Sequence, residues 1–118
     1  MDKKILFVVY QAPAGSIWVN EAFRTAFGMY GEDIEPSVLL VEEATVAFSK
    51  RTKPECLGLL SVSMCFRYIK RYETAVYGVR EHVDKFKIKE IEESFNAKLI
   101  GEADLGDFFH EFDNVVFM

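Results

Sequence analysis

Apolar positions along the chain follow two different rhythms. Short unbroken runs rich in β-branched and aromatic residues alternate with longer stretches in which apolar residues recur every three or four positions. Ile5-Leu6-Phe7-Val8-Val9-Tyr10 opens the series. A run that is polar on neither face predicts a strand buried on both sides. Ser37 to Val41, Thr74 to Val79, Lys98 to Gly101 and Val115 to Phe117 read as four more strands.

The intervening stretches predict helices. From Ile17 to Tyr30 the apolar positions Trp18, Ala22, Phe23, Ala26 and Phe27 are near helical spacing, with Ser16 as the expected N-cap. A short helix is expected over Ala44 to Ser49, after a turn through Pro36 and the second strand. A longer one, Cys56 to Tyr72, carries the stripe Val62, Cys65, Phe66 and Ile69. Arg80 to Phe86 starts another, and Lys87 to Phe95 continues in helical style with Ile88, Ile91 and Phe95 inward. Asp104 is placed to cap a last helix through Glu111.

Strands alternating with helices imply right-handed crossovers and a parallel sheet covered on both faces. The predicted fold is α/β: a flavodoxin-like three-layer sandwich with a mostly parallel five-stranded sheet, formed by residues 1–118 as a single domain. No internal repeat, low-complexity segment or linker interrupts the chain.

Charge narrows the functional classes. The net charge of −5 disfavours wrapping a nucleic-acid backbone, which needs clustered Lys and Arg, so no direct nucleic-acid binding is expected. Within that total, Lys50, Arg51, Lys53, Arg67, Lys70 and Arg71 form a basic region. Glu102, Asp104, Asp107, Glu111 and Asp113 form an acidic one. Opposite patches suit subunit docking, although such runs also serve simply as wetted helix faces. Half the residues are hydrophobic, including 11 Phe and 5 Tyr. That is more large apolar surface than a five-stranded domain readily buries, so an oligomer is expected. No apolar run is long enough to span a membrane or act as a signal sequence, and a cytoplasmic location is expected.

The two cysteines, Cys56 and Cys65, have no disulfide or metal spacing, and neither histidine lies near them in sequence. No metal and no cofactor is expected. Cys65 falls on the apolar stripe and reads as core. Cys56 follows Pro54 near a helix start and beside Lys50, Arg51 and Lys53, which favours a thiolate and makes it the candidate catalytic residue.

In a doubly wound sheet, ligands sit outside the carboxyl ends of the strands. Gly15 and Ser16, Glu43, Gly78 and His82 all fall in such segments and are the candidate ligand-binding residues. Gly15 permits close backbone approach at a helix start. The loop has neither the dinucleotide glycine pattern nor a P-loop lysine, and a structural turn is the plainer reading. Glu42-Glu43 reads as a capping or contact pair, since adjacent side chains usually diverge.

Several segments, in order, resemble DsrE/DsrF-like proteins, particularly the DsrF/TusC branch. They are Lys3 to Val9, Ala12-Pro13-Ala14-Gly15-Ser16, Val38 to Ala44, Lys53-Pro54 before a long helix, and Phe112 to Phe117. The resemblance runs end to end. It implies a small subunit of a sulfurtransferase complex that hands on sulfane sulfur as a cysteine persulfide. Paralogous sulfur-relay subunits or copies of itself, and a sulfur-carrier protein, are the partners it implies. In DsrE/TusD-type subunits the sulfur-carrying cysteine follows the third strand. Here that stretch is Val76-Tyr77-Gly78-Val79-Arg80-Glu81, without a cysteine. Where relatives tend to have Asp-Gly after the second strand, this chain has Glu43-Ala44. Both departures suit an accessory subunit. A small-ligand or nucleotide-binding module using the strand-end crevice is the alternative.

Overall fold

In the computed structural model, which describes residues 3–12, 17–29, 34–49 and 65–118, every one of the five apolar runs forms a strand. They are β1 (Lys3–Val9), β2 (Ile34–Leu40), β3 (Ala75–Val79), β4 (Lys98–Ile100) and β5 (Asn114–Phe117). The sheet order is β4-β3-β2-β1-β5, and all four pairings are parallel. The expected α/β architecture is the observed one.

Register explains how the unbroken runs are used. Phe7 pairs with Val38 and Val9 with Leu40, and these join Val76 on one face. Leu6, Val8 and Leu39 point to the other face. Alternate side chains leave opposite sides of a strand, so the runs are apolar throughout because both faces are covered.

From β1 to β4 the chain steps in one direction across the sheet, and the crossovers share a face. Helix α1 (Trp18–Gly28) packs there through Val19, Ala22, Phe23 and Ala26, and α2 (Phe66–Tyr72) through Ile69. The return from β4 to β5 runs the other way. Its helix α4 (Leu105–Phe109) covers the opposite face with Leu105, Phe108 and Phe109. Helix α3 (Arg80–Lys85) starts directly at the end of β3.

Several local expectations need correction. β2 begins at Ile34 and includes Pro36, which had read as a turn. The β2–β3 ladder starts only at Ser37, so β2 is locally an edge at Pro36, where a missing N–H is tolerated. Residues 42–48 form a 3-10 turn rather than an α-helix. Helix α1 has Ile17, not Ser16, at its N-cap and no side-chain cap. Lys87 to Phe95 is not helical. Lys87 adopts a left-handed φ of 54°, Ile91 bridges Ser49 in antiparallel fashion, and only Glu93–Phe95 makes a 3-10 turn. Asp104 stands at the N-cap of α4 but makes no capping bond, behind a further 3-10 turn over Glu102–Asp104. The segment from Cys56 to Val62 of the expected third helix lies outside the described residues. Of its stripe, Cys65 and Ile69 are buried and Phe66 half-buried.

Candidate functional site

Three consecutive strands deliver their first post-strand residues to one place. After β2 the chain turns at Glu42, held in the left-handed region at φ 49°. After β3 it enters α3 at once, which puts Glu81, His82 and Lys85 at the strand end. After β4, Gly101 leads to Glu102 at the start of its 3-10 turn. His82 lies at the centre, its side chain 8% exposed.

The imidazole is held by one firm bond. The Glu42 backbone N–H donates to His82 Nδ1 at 3.0 Å. Nδ1 is therefore an acceptor, and the ring proton of the neutral form resides on Nε2. Nε2 faces Glu42 Oε1 at 3.5 Å and Glu102 Oε1 at 3.9 Å. Lys85 Nζ reaches Glu42 Oε2 at 3.2 Å. The Glu102 N–H donates to both carboxylate oxygens of Glu81, at 3.0 and 3.1 Å, and this bond lowers the Glu81 pKa below the usual carboxylate value. The cluster thus offers a buried hydrogen-bond donor among three carboxylates, with one ammonium at its rim. Its net negative charge suits a cationic or neutral polar group better than an anion.

Of the sequence candidates, His82 is at this centre. Glu43 is exposed beside it, and the residue that meets His82 is its neighbour Glu42. Gly78 is buried within β3. A Cβ there would stand 2.6 Å from Phe48 Cε2, so the missing side chain makes room for the Phe48 ring. Gly15, Ser16 and Cys56 lie outside the described residues. Glu42, Glu81, Lys85 and Glu102 were not singled out as ligand residues from sequence. The signal available for them was position, the first residues after successive strands.

Cys65 is buried in the face covered by α1 and α2, with Sγ 3.6 Å from Asn20 Oδ1. Burial pushes its thiol pKa up to about 12, so it is protonated and unreactive at neutral pH. Among the described residues no group of three or more His, Cys, Asp or Glu is placed to hold a metal ion. A depression of about 500 Å³ opens at the opposite end of the strands, lined by Lys70, Glu73, Asn96 and Lys98 near the starts of β3 and β4. Ligands of parallel sheets sit at the carboxyl ends, which directs attention to His82 instead.

The fold and this strand-end cluster define a parallel α/β domain with its polar residues gathered where such sheets bind or react. No family model and no curated protein sequence matches the chain. Solved structures do. The ychN protein from E. coli superposes with a TM-score of 0.80 over 100% of both chains at 18% identity. The conserved protein of unknown function BT1422 from Bacteroides thetaiotaomicron superposes with a TM-score of 0.64 at 7% identity, covering 98% of this chain and 95% of that one. The full-length likeness to the first shows that the two chains share this fold.

Proposed function

We propose that the chain is an accessory subunit of a sulfur-relay complex, one that supports persulfide transfer without a sulfur-carrying cysteine of its own after the third strand. The full-length structural likeness to ychN supports this reading most strongly. The end of β3 adds to it. Val79, Arg80, Glu81 and His82 occupy that place, and the acidic groups around His82 would repel a persulfide anion. Cys65 is too deeply buried to serve. The finer assignment to a TusC-like branch rests on the sequence resemblance.

In this reading the protein works in the cytoplasm with paralogous subunits or copies of itself, and with a sulfur carrier. Among the described residues no helix is long and apolar enough to cross a membrane. Affinity capture from native cells should bring down a paralogous subunit that does carry the cysteine. Recovery as a lone monomer from such cells would count decisively against the relay role.

Of the two cysteines, Cys56 is left as the candidate for direct sulfur chemistry. Incubation with a persulfide donor followed by intact mass tests it, and Cys56→Ser should abolish any adduct. The alternative, a small-ligand or nucleotide module, draws on the convergence at His82, with Gly15, Ser16 and Glu43 as its other proposed lining; the carboxylates there favour a neutral or cationic small ligand over a nucleotide phosphate, and Gly78 is buried against Phe48. A thermal-shift screen with nucleotides and flavins separates the two. A ligand at 100 times its dissociation constant stabilises by about 2.7 kcal/mol.

A further inference from the structure

We propose that the depression at the amino ends of β3 and β4 binds a small zwitterion of dipeptide size, a molecule with a free ammonium at one end and a free carboxylate at the other. The site is separate from the His82 cluster at the opposite end of the strands and stands independently of the sulfur-relay reading. Its origin is in the sheet. The β3–β4 ladder begins only where Tyr77 meets Lys98, although β3 itself begins at Ala75 and is paired with β2 from there. The start of β3 therefore has no strand beside it on the β4 side. The space left there is a cavity of about 500 Å³, lined by Thr74 and Ala75 on one side and Asn96 and Lys98 on the other. Small-molecule sites span about 300–1,000 Å³.

Both walls of the cavity carry both signs of charge. Lys70 and Glu73 come from the last turn of α2 and its C-cap, Glu93 and Lys98 from the 3-10 turn before β4 and the first residue of β4. Two ammonium groups and two carboxylates cancel. Such a lining disfavours a phosphate or a simple cation and complements a ligand that is itself dipolar. Lys70, Glu73 and Lys98 are exposed, and among the described residues none of the three makes an ion pair or a side-chain hydrogen bond. Their charges are not used up on one another. Ile69 and Ala75 add apolar lining for a small side chain.

Glu73 is the residue that local structure does not account for. It stands at the C-cap of α2 in the left-handed region, at φ 52°. Glycine is the usual choice there, and asparagine the next, as at Asn96 with φ 49° in the turn before β4. A glutamate is strained in that conformation. Its carboxylate, on the cavity wall, gives a ligand ammonium its partner. Lys70 and Lys98 are the cations that take the ligand carboxylate.

The test is an NMR titration of the full chain with alanyl-alanine. Saturable shifts are expected at the backbone amides of Glu73, Thr74, Ala75, Asn96 and Lys98, and not at Glu42 or Glu102. Propionyl-alanine lacks the ammonium and alanyl-alanine amide lacks the carboxylate. Each should bind about tenfold more weakly or worse, because each leaves one charged partner unmatched. Glu73→Gly removes the carboxylate and relieves the left-handed strain, so it should weaken alanyl-alanine about tenfold without lowering the unfolding midpoint. Lys98→Gln should weaken it to a similar degree, and if that variant does not fold, Glu73→Gly decides. Four results would each overturn the site: no saturable shift at these amides, a blocked peptide bound as tightly as the free one, inorganic phosphate bound more tightly than alanyl-alanine, or full affinity in folded Glu73→Gly.

Discussion

The two faces of the sheet are built to different depths. On one, α1, α2 and the Glu93–Phe95 turn close over Phe23, Phe48 and Phe95, all fully buried. Their rings meet in a connected set: Phe48 lies edge-on to Phe95 at 5.3 Å, Phe66 edge-on to Phe95 at 4.9 Å, and Phe23 tilted against Phe95 at 6.1 Å. On the other, the five-residue helix α4 and the segment after it are the main cover. There Phe108 is 8% exposed, while Phe117 at the margin is 62% exposed. One face is a finished core, and the other ends in apolar surface that a monomer leaves wet. Exposed apolar side chains also lie on α1 and α2, at Trp18 and Tyr68, but Phe117 at the β5 edge is the most exposed of them and marks a surface that a partner could cover.

The sharpest way to test that contrast is to remove one ring from each face. Phe48→Ala should cost about 4–5 kcal/mol, because a fully buried ring is lost and its neighbours are locked together. Phe108→Ala should cost about 3 kcal/mol, at the low end for such a change, because a thin layer collapses more easily. Urea unfolding of both variants measures the difference. Equal costs would mean that the second face is as firmly packed as the first.

Gly78 probes the same depth from inside the sheet. The Cβ of Gly78→Ala would stand 2.6 Å from Phe48 Cε2 and 3.2 Å from Leu99 Cδ2. The Phe48 ring is held by Phe95 and has little room to yield, so the change should cost about 1–3 kcal/mol. In a Phe48→Ala background the cost should largely vanish. A double-mutant cycle gives the coupling directly, and additive costs would contradict the packing role.

How much of this was legible beforehand depends on the residue. The strands were readable because an unbroken apolar run such as Leu6 to Val9 has few other uses. The non-helical course of Lys87 to Phe95 was not. Ile88, Ile91 and Phe95 keep helical spacing, yet Glu92 N–H bonds to the distant Phe48 carbonyl at 2.7 Å, and that tertiary contact overrides the local period. Pro36 misled in the opposite sense, since only pairing shows that β2 has one neighbour at that point. The site was half legible. His82 follows a predicted strand and could be placed at its end. Which acid meets it depends on the left-handed turn at Glu42 and on β4 lying beside β3, and neither is written in local sequence.

The deep face also fixes a pH dependence. Burial raises the Cys65 thiol from its ordinary value of 9.0 to about 12. The unfolded chain gives up this proton from about pH 9, whereas the native protein keeps it until about pH 12. The unfolded state then binds fewer protons, so stability falls as pH rises through that window. Cys65→Ala should show a shallower alkaline decline than the unaltered protein when their unfolding midpoints are compared. At pH 8, iodoacetamide should leave Cys65 unmodified in the native state and alkylate it in denaturant. Rapid native labelling of Cys65 would show that this face opens readily.

The smallest effect on folding is expected at Phe117, and its smallness is the informative part. Its ring centroid lies 6.2 Å from that of Phe109 but the side chain is mostly in water, on a strand that among the described residues pairs only with β1. Tyr10, Ile17 and Trp18, also exposed, lie just past the end of β1 and at the start of α1, and Val116 adjoins Phe117 in β5. A surface residue outside the core changes stability by about 0.5 kcal/mol or less, so Phe117→Asp should leave the unfolding midpoint nearly unchanged. Association is the property it should alter. An exposed aromatic at an open sheet edge is a usual anchor for a partner, and burying an unpaired carboxylate there is costly. Light scattering at micromolar concentration should therefore show an assembly for the unaltered protein and a lower mass for Phe117→Asp. A Phe117→Asp assembly of unchanged mass would move the interface elsewhere, with the basic Arg67, Lys70 and Arg71 of α2 as the next surface to alter.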